Sequence, residues 1–251
     1  MSRVAADTLT IFRREVLRYR RDRAYWVGQL AFPLAVVAFV GFGFKDVVVG
    51  STGADYVGHL ASGILVLMVG SGAVGGGFSL IEDRESGFLR ALLVAPVART
   101  SIVLGKLAAR MLTSLLVVLL LLGILSLFTP LRLMHPGPAL LAVVGVTAIF
   151  TALGIALASS LRRFESFRLL AAFATVPLYL FSGIFYPIST LRAAMRVPAY
   201  ANPLTYGVDL FRYGLLGVHE LPVALSAGML TLLGAAAVAV AITVFDRRSR
   251  A

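Results

Sequence analysis

Few residues in this sequence have the type and spacing that bond-making chemistry needs. His59 and Ser62 stand one helical turn apart, and a serine nucleophile with a histidine base is the minimum for acyl transfer. Leu60, however, stands where a G-x-S-G pattern has glycine, and His135 and His219 fall in predicted loops elsewhere. Three scattered histidines and no cysteine argue against the three or four converging ligands of a metal site. Gly70-Ser-Gly72-Ala-Val-Gly75 spells a dinucleotide fingerprint, but that motif requires a strand before it and a helix after it, and here it sits inside an apolar run. Gly105-Lys106 is the only Gly-Lys pair. Thr100 replaces the first glycine of a phosphate-cradling G-x-x-x-x-G-K-[ST] loop and Leu107 replaces its Ser/Thr, so the chain does not bind ATP by that route. What remains is recognition by charge. Glu82, Asp83, Arg84 and Glu85 stand together, followed by Gly87, a short apolar run with Phe88, Leu89, Leu92 and Leu93, then Pro96, Arg99 and Lys106. This charged island lies between two long apolar runs, where a partner can push on it.

The elements that position the island follow from composition. Charged residues make up 14% of the 251, against roughly a quarter in a soluble domain, and 59% are hydrophobic, so the chain is a membrane protein. The expected fold is all-α, with six transmembrane helices, an N-terminal interfacial amphipathic helix and a re-entrant helical hairpin before the sixth span, all in one transmembrane domain 1–251. Residues 1–23 are too polar for a signal peptide. Leu9, Phe12, Val16 and Tyr19 recur at helical spacing with arginines between them, which predicts a helix in the headgroup layer with its arginines on anionic lipid. Spans are expected at 24–44, 56–80, 107–128, 139–160, 167–186 and 221–245, each about the 20 apolar residues a bilayer requires. Pro33 should kink the first. Gly72-x-x-x-Gly76 should bring another helix close to the second.

The island occupies a coupling region at 81–106. Ser79-x-x-Glu82 is compatible with a capping box for a new helix, and equally with the second span running on to stop at Gly87. The Leu/Phe pairs at i, i+4 predict a helix of about two turns, ending at Ala95 because Pro96 follows. At 187–220, Asn202-Pro203 is a strong helix start, with Gly217 as the stop and Asp209 and Arg212 as a local i, i+3 ion pair. A preceding short helix near residues 188–195 completes an extracellular hairpin. The spans are free of charge along their middles, and Phe39, Phe42, Phe181, Phe185 and Tyr186 suit an apolar or amphipathic cargo.

Of the Lys and Arg residues, 18 fall on the side of the two termini, the island and the loop at 161–166, and 5 on the other side. The positive-inside rule therefore places both termini and the island in the cytoplasm. The net charge of +11 is spread over short loops rather than one folded face, so no nucleic-acid partner is expected. Arginine dominates the basic residues and lysine occurs only at Lys45 and Lys106, a bias consistent with a GC-rich bacterial genome.

The segment from Glu82 to Arg99, with Gly87 and Pro96 inside it and Gly105-Lys106 after it, resembles the signature loop of type-2 ATP-binding-cassette (ABC) export permeases. Phe88 stands where that family commonly has a small polar residue. A second match is Phe181-Ser-Gly183-Ile-Phe-Tyr186-Pro187 with Asn202-Pro203-Leu-Thr-Tyr206-Gly-Val-Asp209-Leu-Phe-Arg212, similar to the family's segment before its sixth span. The resemblance implies a drug-exporter-like permease subunit in the bacterial cytoplasmic membrane, moving a drug-, lipid- or glycolipid-like substrate outward. It also implies that the island docks on a separate ABC ATPase subunit, which binds the ATP and Mg, so that this chain carries no cofactor or catalytic residue. A second permease chain, in a homodimer or heterodimer, and membrane lipids are the other implied partners. Phe181, Gly183, Tyr186, Pro187 and the 202–212 segment would shape the extracellular gate. An intramembrane serine protease and an ion-coupled secondary transporter are the alternatives. The second calls for ionisable residues within spans and for internal repeats, and the sequence has neither in evidence.

Overall fold

In an apolar environment each backbone N–H and C=O must find its partner within the segment, and a helix does this without help. A computed structural model of the protein describes residues 3–42, 56–127, 133–161 and 163–250, and these form helices and turns with no strand among them. The end of the first expected span (43–44), the loop at 45–55, the 128–132 part of the next connection and Arg162 lie outside the described residues.

Helix α1 (Arg3–Arg21) stops at Asp22, whose carboxylate accepts the Tyr25 N–H at 2.9 Å and so caps α2 (Arg23–Val36). The predicted disturbance at Pro33 takes the form of a π-helical turn, Val37–Phe42, four residues further on. Helix α3 (Tyr56–Glu85) runs unbroken through Ser79 and Glu82. Of the two readings of that segment, continuation is therefore the observed one. Gly87, at φ +75°, turns the chain into α4 (Phe88–Val94), a left-handed backbone that only glycine adopts without strain. Ala95 is extended, as the following proline dictates. Helices α5 (Arg99–Leu125) and α6 (Pro136–Ser160) follow, then α7 (Phe164–Leu180), a 3-10 turn (Ile188–Thr190), α8 (Ala193–Ala201), α9 (Pro203–Leu216) and α10 (Val223–Arg250).

Among the described residues four helices, α3, α5, α6 and α10, are long and apolar enough to cross a membrane, while α2 and α7 are shorter. Helix α6 is apolar on all sides and accordingly sits at the centre, packed by α3, α5, α9 and α10. Its closest crossing is with α3. A Cβ on Gly77 would meet the Gly154 carbonyl oxygen at 2.5 Å, so the two backbones touch where neither residue has a side chain. The Gly72-x-x-x-Gly76 pair divides its work: Gly76 faces Thr151 of α6, whereas Gly72 faces Gln29 of α2. Buried apolar side chains form two cores. One joins α3, α5, α6, α9 and α10 toward the hairpin end, and the other gathers Ile11, Ile81, Leu89, Ile102, Phe167 and Phe245 at the island end.

Two expectations need correction here. The first hairpin helix lies at Ala193–Ala201 and not near 188–195, because 188–190 form a 3-10 turn and Leu191 and Arg192 are extended. Helix α1 turns inward on the line Ile11, Glu15, Tyr19, not on Leu9, which is exposed, and Arg14 and Arg18 point into the protein rather than to lipid.

Candidate functional site

The island does not behave as one cluster, because a helix turns about 100° per residue and its four charges face four ways. Glu85 is exposed at the end of α3. Glu82 is exposed and pairs with Arg18 of α1. Asp83 points inward, and Arg84 reaches sideways to the last carbonyls of α6, donating to Leu161 O at 2.6 Å and Ala158 O at 2.8 Å. This contact satisfies C-terminal carbonyls that have no partner within the helix and sets a cation against the negative end of its dipole.

Asp83 is the centre of a buried ionic knot. Lys106 of α5 donates to Asp83 Oδ2 at 2.5 Å, to Glu15 Oε1 of α1 at 2.8 Å and to the Ser79 hydroxyl at 2.6 Å. All three ammonium protons are thus used. Arg14 grips Asp83 with both terminal nitrogens, at 2.6 and 3.2 Å, and lies 3.1 Å from Glu15. Ser79 donates in turn to Glu15 Oε2 at 2.9 Å. Glu15, Asp83 and Lys106 are each 2% exposed or less. With Arg18 and Glu82 at its rim, the knot holds three cations and three anions. Burial works against the Arg14 guanidinium, but Asp83 and Glu15 outweigh it and hold its pKa above the ordinary value. Close approach makes this geometry possible: a Cβ on Gly105 would meet Ile11 at 2.8 Å, so only glycine lets α1 lie near enough for Glu15 to reach Lys106.

The knot carries α4 with it. The Arg14 guanidinium lies over the Phe88 ring, 3.7 Å from its centre, and Leu89 and Leu92 pack into the island-end core. Pro96 is exposed, and Arg99 at the start of α5 donates to the Asp246 carbonyl at 3.0 Å and carboxylate at 3.3 Å, tying in the end of α10. One turn below the knot, Arg110 lies 4.1 Å from the centre of the Tyr19 ring and 3.4 Å from the Tyr25 hydroxyl. Burial pushes the Tyr19 phenol up to about 12, against the pull of Arg110.

At the hairpin end the predicted Asp209–Arg212 ion pair does not form. Asp209 instead accepts the backbone N–H groups of Glu220 at 2.7 Å and Leu221 at 3.4 Å, and the Ser226 hydroxyl at 3.0 Å, tying the turn before α10 to its first turn. Arg212 donates to Gly183 O at 3.1 Å and Ser62 Oγ at 3.4 Å, and lies 3.9 Å from Glu220. Gly183 has φ +75° in the turn after α7. Phe181 ends α7 and its carbonyl accepts the Thr205 hydroxyl at 3.3 Å, while the Tyr186 hydroxyl bonds Leu180 O. Pro187 leads into the 3-10 turn. Asn202 accepts the Leu204 N–H at 3.0 Å and donates to Leu178 O at 2.6 Å, Pro203 opens α9, and the Tyr206 hydroxyl reaches Tyr200 O at 2.7 Å. The second predicted cluster therefore does converge, on α3, α7, α9 and α10.

The Ser62 hydroxyl donates to the His59 backbone carbonyl at 2.8 Å and accepts from Arg212, so it is not paired with the imidazole. That arrangement removes the geometric basis for a serine–histidine dyad. Among the described residues no group of three or more His, Cys, Asp or Glu is placed to hold a metal ion.

Glu15 was missed by sequence reasoning. Its signal was an acid amid the arginines of a basic helix, four residues from Ile11 and four from Tyr19, matched by one of only two lysines in the chain.

Residues 6–216 match the family described as ABC-2 type transporter. The chain belongs to that family. As an ABC-2 permease it is similar to the inner membrane transport permease YadH of Escherichia coli (strain K12), 24% identical over 228 residues that cover 89% of this chain and 88% of that protein. It is also similar to the putative transport permease ycf38 of Porphyra purpurea, 33% identical over 206 residues, 78% of this chain and 68% of that one. A related ycf38 of Pyropia yezoensis is 30% identical over 205 residues. The knot, Asp209 and Arg212 lie inside the matched range, which makes them parts of a transmembrane transport subunit.

Proposed function

We propose that the chain is the permease subunit of an ATP-driven exporter, docked by a separate ABC ATPase at α4 and moving an apolar or amphipathic substrate out of a bacterial cell. The observation that carries this reading is the setting of α4. It is a seven-residue helix whose inner side is fixed by Leu89 and by Phe88 under Arg14, while Ala91 and Val94 face outward, Val94 at 88% exposure. An apolar tip held rigidly on a charged rim is a docking surface. A push on it passes into α3, α5 and α1 through the knot as a rigid-body movement.

In this reading α2 and α7 complete six spans, both termini and α4 are cytoplasmic, and α8 and α9 form the extracellular hairpin. Both chain ends lie at the island end, which supports an even number of crossings. The exposed apolar faces of α2 (Val27, Phe32, then Phe39) and α7 (Leu169, Phe173, Val176) are where a second permease chain would pack. ATP and Mg belong to the partner ATPase.

The test is reconstitution with the partner ATPase in nanodiscs, comparing wild type with Glu82→Lys/Glu85→Lys and with Val94→Asp. The expected result is loss of ATPase capture and of transport-coupled hydrolysis, about tenfold or more, with the permease still folded. Full coupled hydrolysis in both variants would refute docking at α4.

A further inference from the structure

A cavity of about 580 Å³ opens at the island end between α4, the last turn of α6 and the last turns of α10. Three guanidinium-bearing residues line it, Arg84, Arg90 and Arg248, with no carboxylate among the lining residues. Arg84 is held in place by the α6 carbonyls. Arg90 and Arg248 are exposed and form no ion pair among the described residues. Beneath the arginines the wall is apolar: Leu89 and Leu93 of α4 and Phe245 of α10. Ser159 and Ser160 also line the cavity, and both hydroxyls donate to carbonyls one turn back, to Ile155 and Ala156, leaving the arginines as the strong donors.

We infer that this cavity binds the phosphodiester of an anionic membrane phospholipid. Guanidinium forks match phosphate oxygens in geometry and charge. The cavity lies where apolar helices α6 and α10 end, at the level of lipid headgroups, and basic pockets between membrane helices at that level take anionic headgroups. The apolar wall receives the glycerol and the first acyl carbons, which a free anion would not need. Bound there, the lipid wedges α4 against α10 on the side the ionic knot does not reach. The inference stands independently of ATPase docking, since it concerns the side of α4 opposite Arg14.

The full chain, purified in detergent, is titrated with phosphatidylglycerol and with phosphatidylcholine, and bound lipid is counted by native mass spectrometry. Arg84 is already committed to the α6 carbonyls, so Arg90 and Arg248 carry the selectivity at about fivefold each; wild type should prefer phosphatidylglycerol by roughly twenty-five-fold and Arg90→Gln/Arg248→Gln should lose that preference. Arg192→Gln, at the hairpin end, should retain it. Equal phosphatidylglycerol retention in the double variant would overturn the site, and so would equal affinity of wild type for both lipids. Displacement of the lipid by millimolar inorganic phosphate would mark a plain anion site and also overturn it. If wild type shows no lipid preference while the double variant loses ATPase capture, the cavity takes an acidic side chain of the ATPase instead. Thermal melting of each variant checks folding, and the two-lipid comparison on wild type decides the matter even if the double variant does not fold.

Discussion

The two ends of this permease solve the same problem with different partners. At the island end, buried charges face buried charges from other helices: Lys106 lies between Glu15 and Asp83, and Arg14 lies on Asp83. At the hairpin end, the shortest contacts of the buried charges are to backbone, with the Glu220 carboxylate 3.9 Å from Arg212. Asp209 takes the N–H groups of the turn before α10, and Arg212 gives to the Gly183 carbonyl. The first arrangement depends on several helices staying in register. The second fixes loop and turn geometry and leaves each charge with a partner that no single substitution removes. Helix α3 joins the two, carrying Ser62 at one cluster and Asp83 at the other, 21 residues apart, or about 31 Å along the helix, close to the thickness of a bilayer's apolar layer. A displacement of the knot therefore reaches Arg212 along a single unbroken helix.

The contrast is broken most sharply at Lys106. Lys106→Met leaves Glu15 with Arg14 as its only cation at 3.1 Å and strands part of the Asp83 charge, and should cost about 3–5 kcal/mol, read as a large fall in melting temperature. Adding Glu15→Gln should return part of that loss, because one uncompensated charge goes with it. If the double variant is worse than either single by simple addition, the two residues do not share one knot. At the other end, Asp209→Ala leaves the N–H groups of Glu220 and Leu221 and the Ser226 hydroxyl without their acceptor and should cost about 1–3 kcal/mol, with no rescue by changing Arg212, since the two are not paired. Rescue there would restore the i, i+3 ion pair that the structure replaces.

The smallest effect is that of Tyr19. Its folded pKa of about 12 lies above the ordinary 10, so its contribution to stability is complete below pH 10 and is lost as pH climbs from 10 to 12. Tyr19→Phe should match wild type at neutral pH and lose less stability over that window. The absorbance of the phenolate, followed against pH, locates the transition directly. Identical stability profiles up to pH 12 would contradict the burial of that ring against Arg110.

Much of this was legible from spacing alone. The limits of α4, the extended Ala95 and the Asn202, Pro203 and Gly217 signals around α9 are local matters of backbone chemistry, and the sequence states them locally. The inward turn of Asp83 was not legible beside the outward turn of Glu82, because adjacency gives no face until α1 and α5 are in place. Asp209 and Arg212 have the spacing of a helix ion pair, yet each found a backbone partner from a segment distant in the chain. The arginines of α1 read as a lipid-facing stripe because nothing in the first 23 residues reveals that Glu15 and Gly105 would bring that helix against α5.

The central claim is that α1, α3 and α4 move as one body when the ATPase closes. The chain has no cysteine, so paired spin labels can be placed without background. Arg13→Cys on α1 and Ser86→Cys in the turn before α4 are both exposed. Their distance distribution should be the same with and without ATP in the reconstituted complex, and should broaden when Lys106→Met is added. A clear ATP-dependent shift between the two labels with Lys106 intact would contradict the account.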